Sequence, residues 1–271
     1  MTAAPQSPFE LPVLADHRWQ MTYGERFALE GIVSQVRPKL AIEIGTAEGG
    51  SLRRIASHAE EVRCFDMADS VAEVVAGVPN AEAHIGDSSE TLPRVLKELA
   101  DAGRHVDFAL IDGDHTAEGV ARDTRAVLAS DACRRTVIVF HDTANEEVRG
   151  GIESLNLPEH PKVALCMLDA VPGYIVVEDH IRSHEIWNGL GLVLLDDGHT
   201  GETVTDRDHL DVASVYRSYR DGLRERPEPA SAPLPATPEP ASATRRPVLL
   251  AAAAGVGVAA GFALRTLLGR R

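Results

Sequence analysis

The chain has 271 residues, 44 % apolar and only 4 % aromatic, enough for one good-sized domain with an aliphatic core. Its formal charge of −14 excludes non-specific nucleic-acid binding, because a protein polyanion repels phosphate. Cys64, Cys133 and Cys166 stand far apart with no CxxC pair, which argues against a disulfide frame or a cysteine zinc site and suits a reducing compartment.

The opening, MTAAPQSPFELPVLAD, has neither a basic region nor a long apolar run and does not read as a signal peptide. Trp19 and Tyr23 precede the first helix of the domain and suit either a lid or packing. Five short apolar runs follow: KLAIEIG (39–45), VRCFD (62–66), AEAHIGD (81–87), VDFALID (106–112) and TVIVFHD (136–142). Helical patterns separate them, so the spacing predicts βαβ units and a parallel sheet covered on both faces. Beyond Gly150 the pattern changes: KVALCML (162–168), GYIVVE (173–178) and GLGLVLLDD (189–197) are strand-like with little helix between them. They suit an antiparallel edge, closed by a helix within 206–226. The fold class expected is α/β: a doubly wound, mostly parallel seven-stranded sheet with an antiparallel edge, formed by residues 1–226.

Residues 227–247, PEPASAPLPATPEPASATRRP, hold seven of the sixteen prolines and read as an extended spacer. VLLAAAAGVGVAAGFAL, Val248 to Leu264, has no charge and would span about 26 Å as a helix at ~1.5 Å per residue. Extended to Leu268 with Arg265 snorkelling, it reads as a C-terminal transmembrane anchor over 248–268. It would tether the body to a membrane, and arginines on both flanks (Arg245, Arg246, Arg270, Arg271) leave the orientation open by the positive-inside rule. Gly257 and Gly261 have the GxxxG spacing through which two such helices approach, a weak signal for a homo-oligomer in so small-residue a segment.

Acids sit at the strand ends: Glu43 within the first run, then Asp66, Asp87, Asp112 and Asp142. Ligands of open α/β sheets bind beyond the carboxyl ends of the strands, and five such acids favour a lined site over five helix caps. The first turn, EIGTAEGGS (43–51), has glycines at 45, 49 and 50 that permit a close backbone approach to a ligand. It is not the GxGxxG dinucleotide fingerprint, and a Tyr-x-x-x-Lys pair is also missing, so a nicotinamide-dependent oxidoreductase is the weaker enzyme reading. A non-catalytic, membrane-tethered binding module is the third. The bland reading of FALIDGDHTAEG (108–119) is capping, with Thr116 or Asp114 closing the end of a helix over 117–129; Thr143-x-x-Glu146 fits a capping box for the next helix.

Together AIEIGTAEGGS, the acid ending the second run, GDSSETL, DFALIDGDHTAEGVARD and VIVFHDT resemble the class I S-adenosylmethionine-dependent methyltransferases. Within that superfamily residues 20–200 look most like the group of the cephalosporin hydroxylase and macrolide-sugar O-methyltransferase proteins. The resemblance implies S-adenosylmethionine as cofactor, with Glu43, Gly45, Thr46 and Ser51 at its methionine end, Asp66 on the ribose hydroxyls, and Asp87 and Ser88 by the adenine. Ala47 stands where many relatives have a glycine, and Asp69 competes with Asp66. By the same resemblance Asp112, His141 and Asp142 would hold magnesium or another divalent metal. Imidazole suits manganese, iron or zinc better than magnesium, or else His141 contacts substrate or stands behind the ligands. His115, three residues past Asp112 and with an ordinary pKa near 6.5, is the candidate general base. The expected reaction is O-methylation of a small molecule, a sugar or natural product.

Overall fold

Residues buried on both sides need a sheet with helices on both faces, and the computed structural model has that arrangement. It describes residues 11–15, 19–176, 184–206 and 212–224. In chain order the elements are α1 (Pro12–Ala15), α2 (Tyr23–Val36), β1 (Leu40–Ile44), α3 (Gly50–His58), β2 (Glu61–Asp66), α4 (Val71–Ala76), β3 (Ala81–Ile85), α5 (Ser88–Asp101), β4 (Phe108–Ile111), α6 (Ala117–Ala129), β5 (Val137–His141), α7 (Glu146–Glu153), β6 (Val163–Val171), β7 (Tyr174–Ile175), β8 (Ile186–Trp187), β9 (Leu190–Leu195), β10 (Val204–Thr205) and α8 (Val212–Arg224). The main sheet has the order β10-β6-β9-β5-β4-β1-β2-β3. All its pairings are parallel except those of β9, which runs against both β5 and β6.

The five expected parallel strands are present, and the antiparallel pairings fall on the expected side. The strand count differs: among the described residues the main sheet has eight strands, not seven. The added one, β10, is two residues long, too short for any alternation to announce it. The run 173–178 contributes only β7, which pairs with β8 in a separate ribbon. The expected linker and anchor, 227–247 and 248–268, lie outside the described residues; among those described no helix is long and apolar enough to cross a membrane.

Strand parity divides the core in two. Leu40, Ile42 and Ile44 of β1 pack with Ala109, Ile111, Ile138 and Phe140 against α5, α6 and α7. Ala41, Phe108, Leu110 and Val139 face the other way, towards α2, α3 and α4. Glu43 shares the parity of Ala41, so a carboxyl group enters the second core with no exposure. Its Oε1 accepts a 2.6 Å hydrogen bond from the Ser51 hydroxyl of α3. Burial pushes the Glu43 carboxyl up to about 8, and hydrogen bonds from Ser51 and Thr46 offset only part of that.

Between β1 and β4 the backbones touch. Gly45 has φ +87°, and a Cβ there would stand 2.0 Å from the carbonyl oxygen of Asp112. Gly50 at the start of α3 lies equally close to Trp19: a Cβ would come within 2.5 Å of the tryptophan Cβ. Gly45 is therefore required by contact as well as by conformation, and Gly50 by contact alone.

Gly45→Ala is expected to cost more than about 2 kcal/mol, since both the dihedral and the space are wrong; denaturant midpoints check it, and a loss under half that would remove the close-contact reading. Glu43 yields a pH prediction. The folded state keeps a proton that the unfolded chain releases above its ordinary value of 4.5. Its contribution is complete at acid pH and is lost as pH rises towards about 8. Wild type should lose stability over that interval, by at most about 1.4 kcal/mol per pH unit, relative to Glu43→Gln. Parallel pH profiles for the two proteins would show that Glu43 is ionised in place.

Candidate active site

Register brings the strand ends level. Ile44 pairs with Phe65 on one side and Ile111 on the other, and Ile111 pairs with Phe140. The residues that follow, namely the glycine turn, Asp66, Asp112, His141 and Asp142, therefore face one cleft of about 480 Å³. It lies at the carboxyl edge beside β1 and β4, where strand order reverses.

At one side of the cleft Asp66 organises the turn. Its Oδ2 accepts the N–H groups of Thr46 and Ala47, each at 3.0 Å, and its Oδ1 accepts that of Ala68 at 2.9 Å. These bonds hold Ala47 at φ +45°, a left-handed conformation that a non-glycine residue avoids without support. Trp19 lines the same side, nearly buried, and its indole Nε1 has no partner among the described residues. Arg26 of α2 donates to the carbonyls of Met21 and Trp19 and lies 5.3 Å from the rings of Trp19 and Tyr23. Trp19 is thus packed in place, while Tyr23 is mostly exposed.

The other side answers the question of why β4 and β5 end in charge. Asp112 Oδ1 is 2.8 Å from His141 Nδ1. His115 Nε2 lies 3.0 Å from Asp142 Oδ2 and 3.6 Å from Asp112 Oδ1, and its ring meets Trp187 edge-on with centroids 5.7 Å apart. Asp142 sits at φ +56°. Its Oδ1 accepts the backbone N–H of Asn188 at 2.6 Å, which holds that conformation. His141 shares the β5 parity of Val139 and so points to the α2 face, where its Nε2 is 3.4 Å from Glu25 Oε1.

The charges compensate one another. Asp112 and then Asp142 raise the His115 imidazole to about 9, so it carries a proton at neutral pH rather than standing near 6.5. Burial alone would lower the His141 imidazole, but Asp112, Asp142 and Glu25 bring it well above the ordinary histidine value. Burial opposes ionisation of Asp142 too, yet His115 and His141 hold its carboxyl well below the usual range.

Among the expected residues, Gly45, Thr46, Ser51, Asp66, Asp112, His115, His141 and Asp142 line the cleft. Glu43 lies beneath the turn, bonded to Ser51, and is not part of the lining. Asp87 and Ser88 are not part of it either: Asp87 caps α5 through the N–H of Ser89, and the Ser88 hydroxyl donates to Asp123. Thr116 caps α6 as the bland reading expected. The capping box at Thr143 and Glu146 is not formed. Asn145 caps α7 instead, because the left-handed turn at Asp142 delays the helix, and Thr143 is buried.

Sequence reading missed Gln20, Met21, Tyr174, Val176, Trp187 and Asn188 of the lining, and Glu25 behind it. Two had signals. Thr22-x-x-Glu25 is a capping box, and both of its reciprocal bonds are present. Asn188-Gly189 is a turn dipeptide, with φ +63° and +94°.

The donor set Asp112, His115 and Asp142 can bring one ligand atom each within 4.8 Å of one another, which fits a divalent cation taking mixed oxygen and nitrogen donors. Both His141 nitrogens face carboxylates behind that set. The unpartnered indole N–H of Trp19 and the tight glycine turn fit an elongated polar ligand on the opposite flank.

Residues 42–143 match the family model described as a methyltransferase domain. No curated protein matches the sequence. Among solved structures the chain is similar to the cofactor-bound protein Rv0187 from MTB, with 21 % identity over 67 % of this chain and 84 % of that one and a TM-score of 0.49. It is similar to the O-methyltransferase from Bacillus cereus in complex with SAH, with 17 % identity over 62 % and 79 % and a TM-score of 0.46. It is also similar to TomG from Streptomyces achromogenes, an O-methyltransferase involved in tomaymycin synthesis, with 17 % identity over 65 % and 81 % and a TM-score of 0.48. The methyltransferase-domain match runs from β1 through the turn after β5 and so spans the glycine turn and the charged strand ends.

Proposed function

We propose that this chain transfers a methyl group from S-adenosylmethionine to a hydroxyl of a small molecule, with a divalent ion held by Asp112, His115 and Asp142. The observation that carries the reading is the placing of two carboxylates and an imidazole in the same cleft as the glycine turn. When bound, the cofactor supplies a methyl group on a cationic sulfur, and the ion supplies charge that lowers the pKa of an alcohol.

The chain's own residues do the rest. The turn at 45–51 lets the backbone close on the cofactor, with Thr46 and Ser51 beside it and Asp66 offering lone pairs to a diol. Glu43 supports Ser51 from below. Trp19 and Trp187 exclude water from the two flanks. Asp112 and Asp142 would hold the acceptor hydroxyl in the orientation that methyl transfer needs. The hydroxyl proton leaves into the cluster of carboxylates and imidazoles. A second reading makes His115, whose ring is the most exposed of the cluster at 44 % of the side chain, the general base; since it carries a proton below about 9, turnover by that route should rise with pH. The 1–226 body, joined through 227–247 to the apolar 248–268 segment, would act at a membrane from the cytoplasmic side.

Titration calorimetry of the full chain in mild detergent should show micromolar binding of S-adenosylmethionine and none of NADH; the reverse would sink the reading. Asp112→Asn and Asp142→Asn should keep cofactor affinity and lose about 10²-fold or more in kcat. Unchanged turnover in both would remove them from the chemistry. His115→Ala separates its two roles: a donor takes Mn²⁺ affinity with it, whereas a base leaves Mn²⁺ affinity and takes turnover. The full chain should partition with membranes, and a chain ending at Arg226 should not; equal partitioning of the two would exclude 248–268 as the anchor.

A further inference from the structure

We propose that Glu25, which lies outside the methyltransferase-domain match, is a positioning residue that stands behind both carboxylates of the cleft. It holds Asp112 through His141 and Asp142 through Asn188. What Asp112 and Asp142 do in catalysis rests on the reading above; the geometry that Glu25 imposes does not.

Glu25 occupies the first turn of α2 and has no exposure. Its Oε2 accepts the Thr22 N–H at 2.6 Å, the Thr22 hydroxyl at 2.7 Å and the Asn188 Nδ2 at 2.8 Å. Its Oε1 accepts the Gly189 N–H at 2.6 Å and lies 3.4 Å from His141 Nε2. Capping α2 needs only the bonds with Thr22. The other three donors come from β5 and from the turn before β9, far along the chain. A buried carboxylate is costly unless it is paired and hydrogen-bonded, and this one meets both conditions at the site. Burial would raise its carboxyl, but His141 and Thr22 hold it below the usual range.

Two chains of contact lead from Glu25 to the cleft. In the first, His141 is fixed at both ring nitrogens, Nε2 against Glu25 and Nδ1 at 2.8 Å from Asp112 Oδ1, so the ring cannot turn without breaking one contact. In the second, Asn188 is held by its side chain and gives its backbone N–H to Asp142 Oδ1 at 2.6 Å. An amide at position 25 would set an NH₂ against donors whichever way it turned. An aspartate would keep the charge and lose the reach.

The test uses the full chain with Glu25→Gln and Glu25→Asp. Both variants should bind S-adenosylmethionine within about twofold of wild type, because Glu25 touches none of the residues of the glycine turn. The kcat per cofactor-binding site should fall by about tenfold or more. The loss should multiply only in part with that of His141→Gln, because the path through Asn188 remains: the double variant should be slower than His141→Gln alone and faster than the product of the two losses. Unchanged kcat per site, or losses that multiply in full, would overturn the proposal, since a purely structural residue lowers the number of sites and leaves each site intact. A readout free of activity guards against variants that fail to fold. In ¹⁵N-histidine-labelled wild type, the Nε2–H of His141 should be a slowly exchanging, downfield resonance, and its absence would also overturn the proposal. If that resonance is present and no hydroxyl acceptor is ever methylated, Glu25 still positions His141, and it is the methyl-transfer reading that falls.

Discussion

At Gly45 two backbones meet with no room for a side chain, and the geometry of the cleft follows from that contact. The missing Cβ lets the end of β1 rest on the carbonyl of Asp112, so the glycine turn and the head of β4 are set at one separation. Asp66 then ties the turn to β2 through two backbone N–H groups, and Asp112 reaches across to β5 through His141. Glycine-turn flank and charged flank are thus held by adjacent strands of a packed core, which fixes their separation.

The charged flank is a balanced set. Two imidazoles stand among three carboxylates, Asp112, Asp142 and Glu25, and each shift described above is the mark of that mutual support. Such a cluster is stable while complete. Removing one member leaves an uncompensated charge beside the buried His141, Asp142 and Glu25, so single substitutions there read as larger than the role of any one residue.

Much of the fold was legible because parallel strands buried on both faces read as apolar runs, and four of the five runs stopped at an acid. The glycine turn, Asp66, Asp112, His115, His141 and Asp142 could be picked out for the same reason: each abuts a strong signal. What was not legible depends on pairing between distant segments. Parity alone decides that His141 turns towards α2, and nothing local to residue 25 says that its carboxylate meets a turn at 188–189. The environment of His115 was hidden in the same way, since its partner Asp142 belongs to the next strand. Thr143 misled because a Thr-x-x-Glu pattern carries no record of the left-handed residue that precedes it.

Asp142 and Asn188 both occupy left-handed backbone and are joined by one short hydrogen bond. Glycine would sit in either place with less backbone cost. Glycine at 142, however, would have no carboxylate to hold towards His115, and glycine at 188 no amide to hold towards Glu25. Backbone strain at these two positions is therefore held in place by the charged cluster itself. Relieving it at either one would leave a histidine or the buried Glu25 without its partner, so strain and charge pairing stand or fall together.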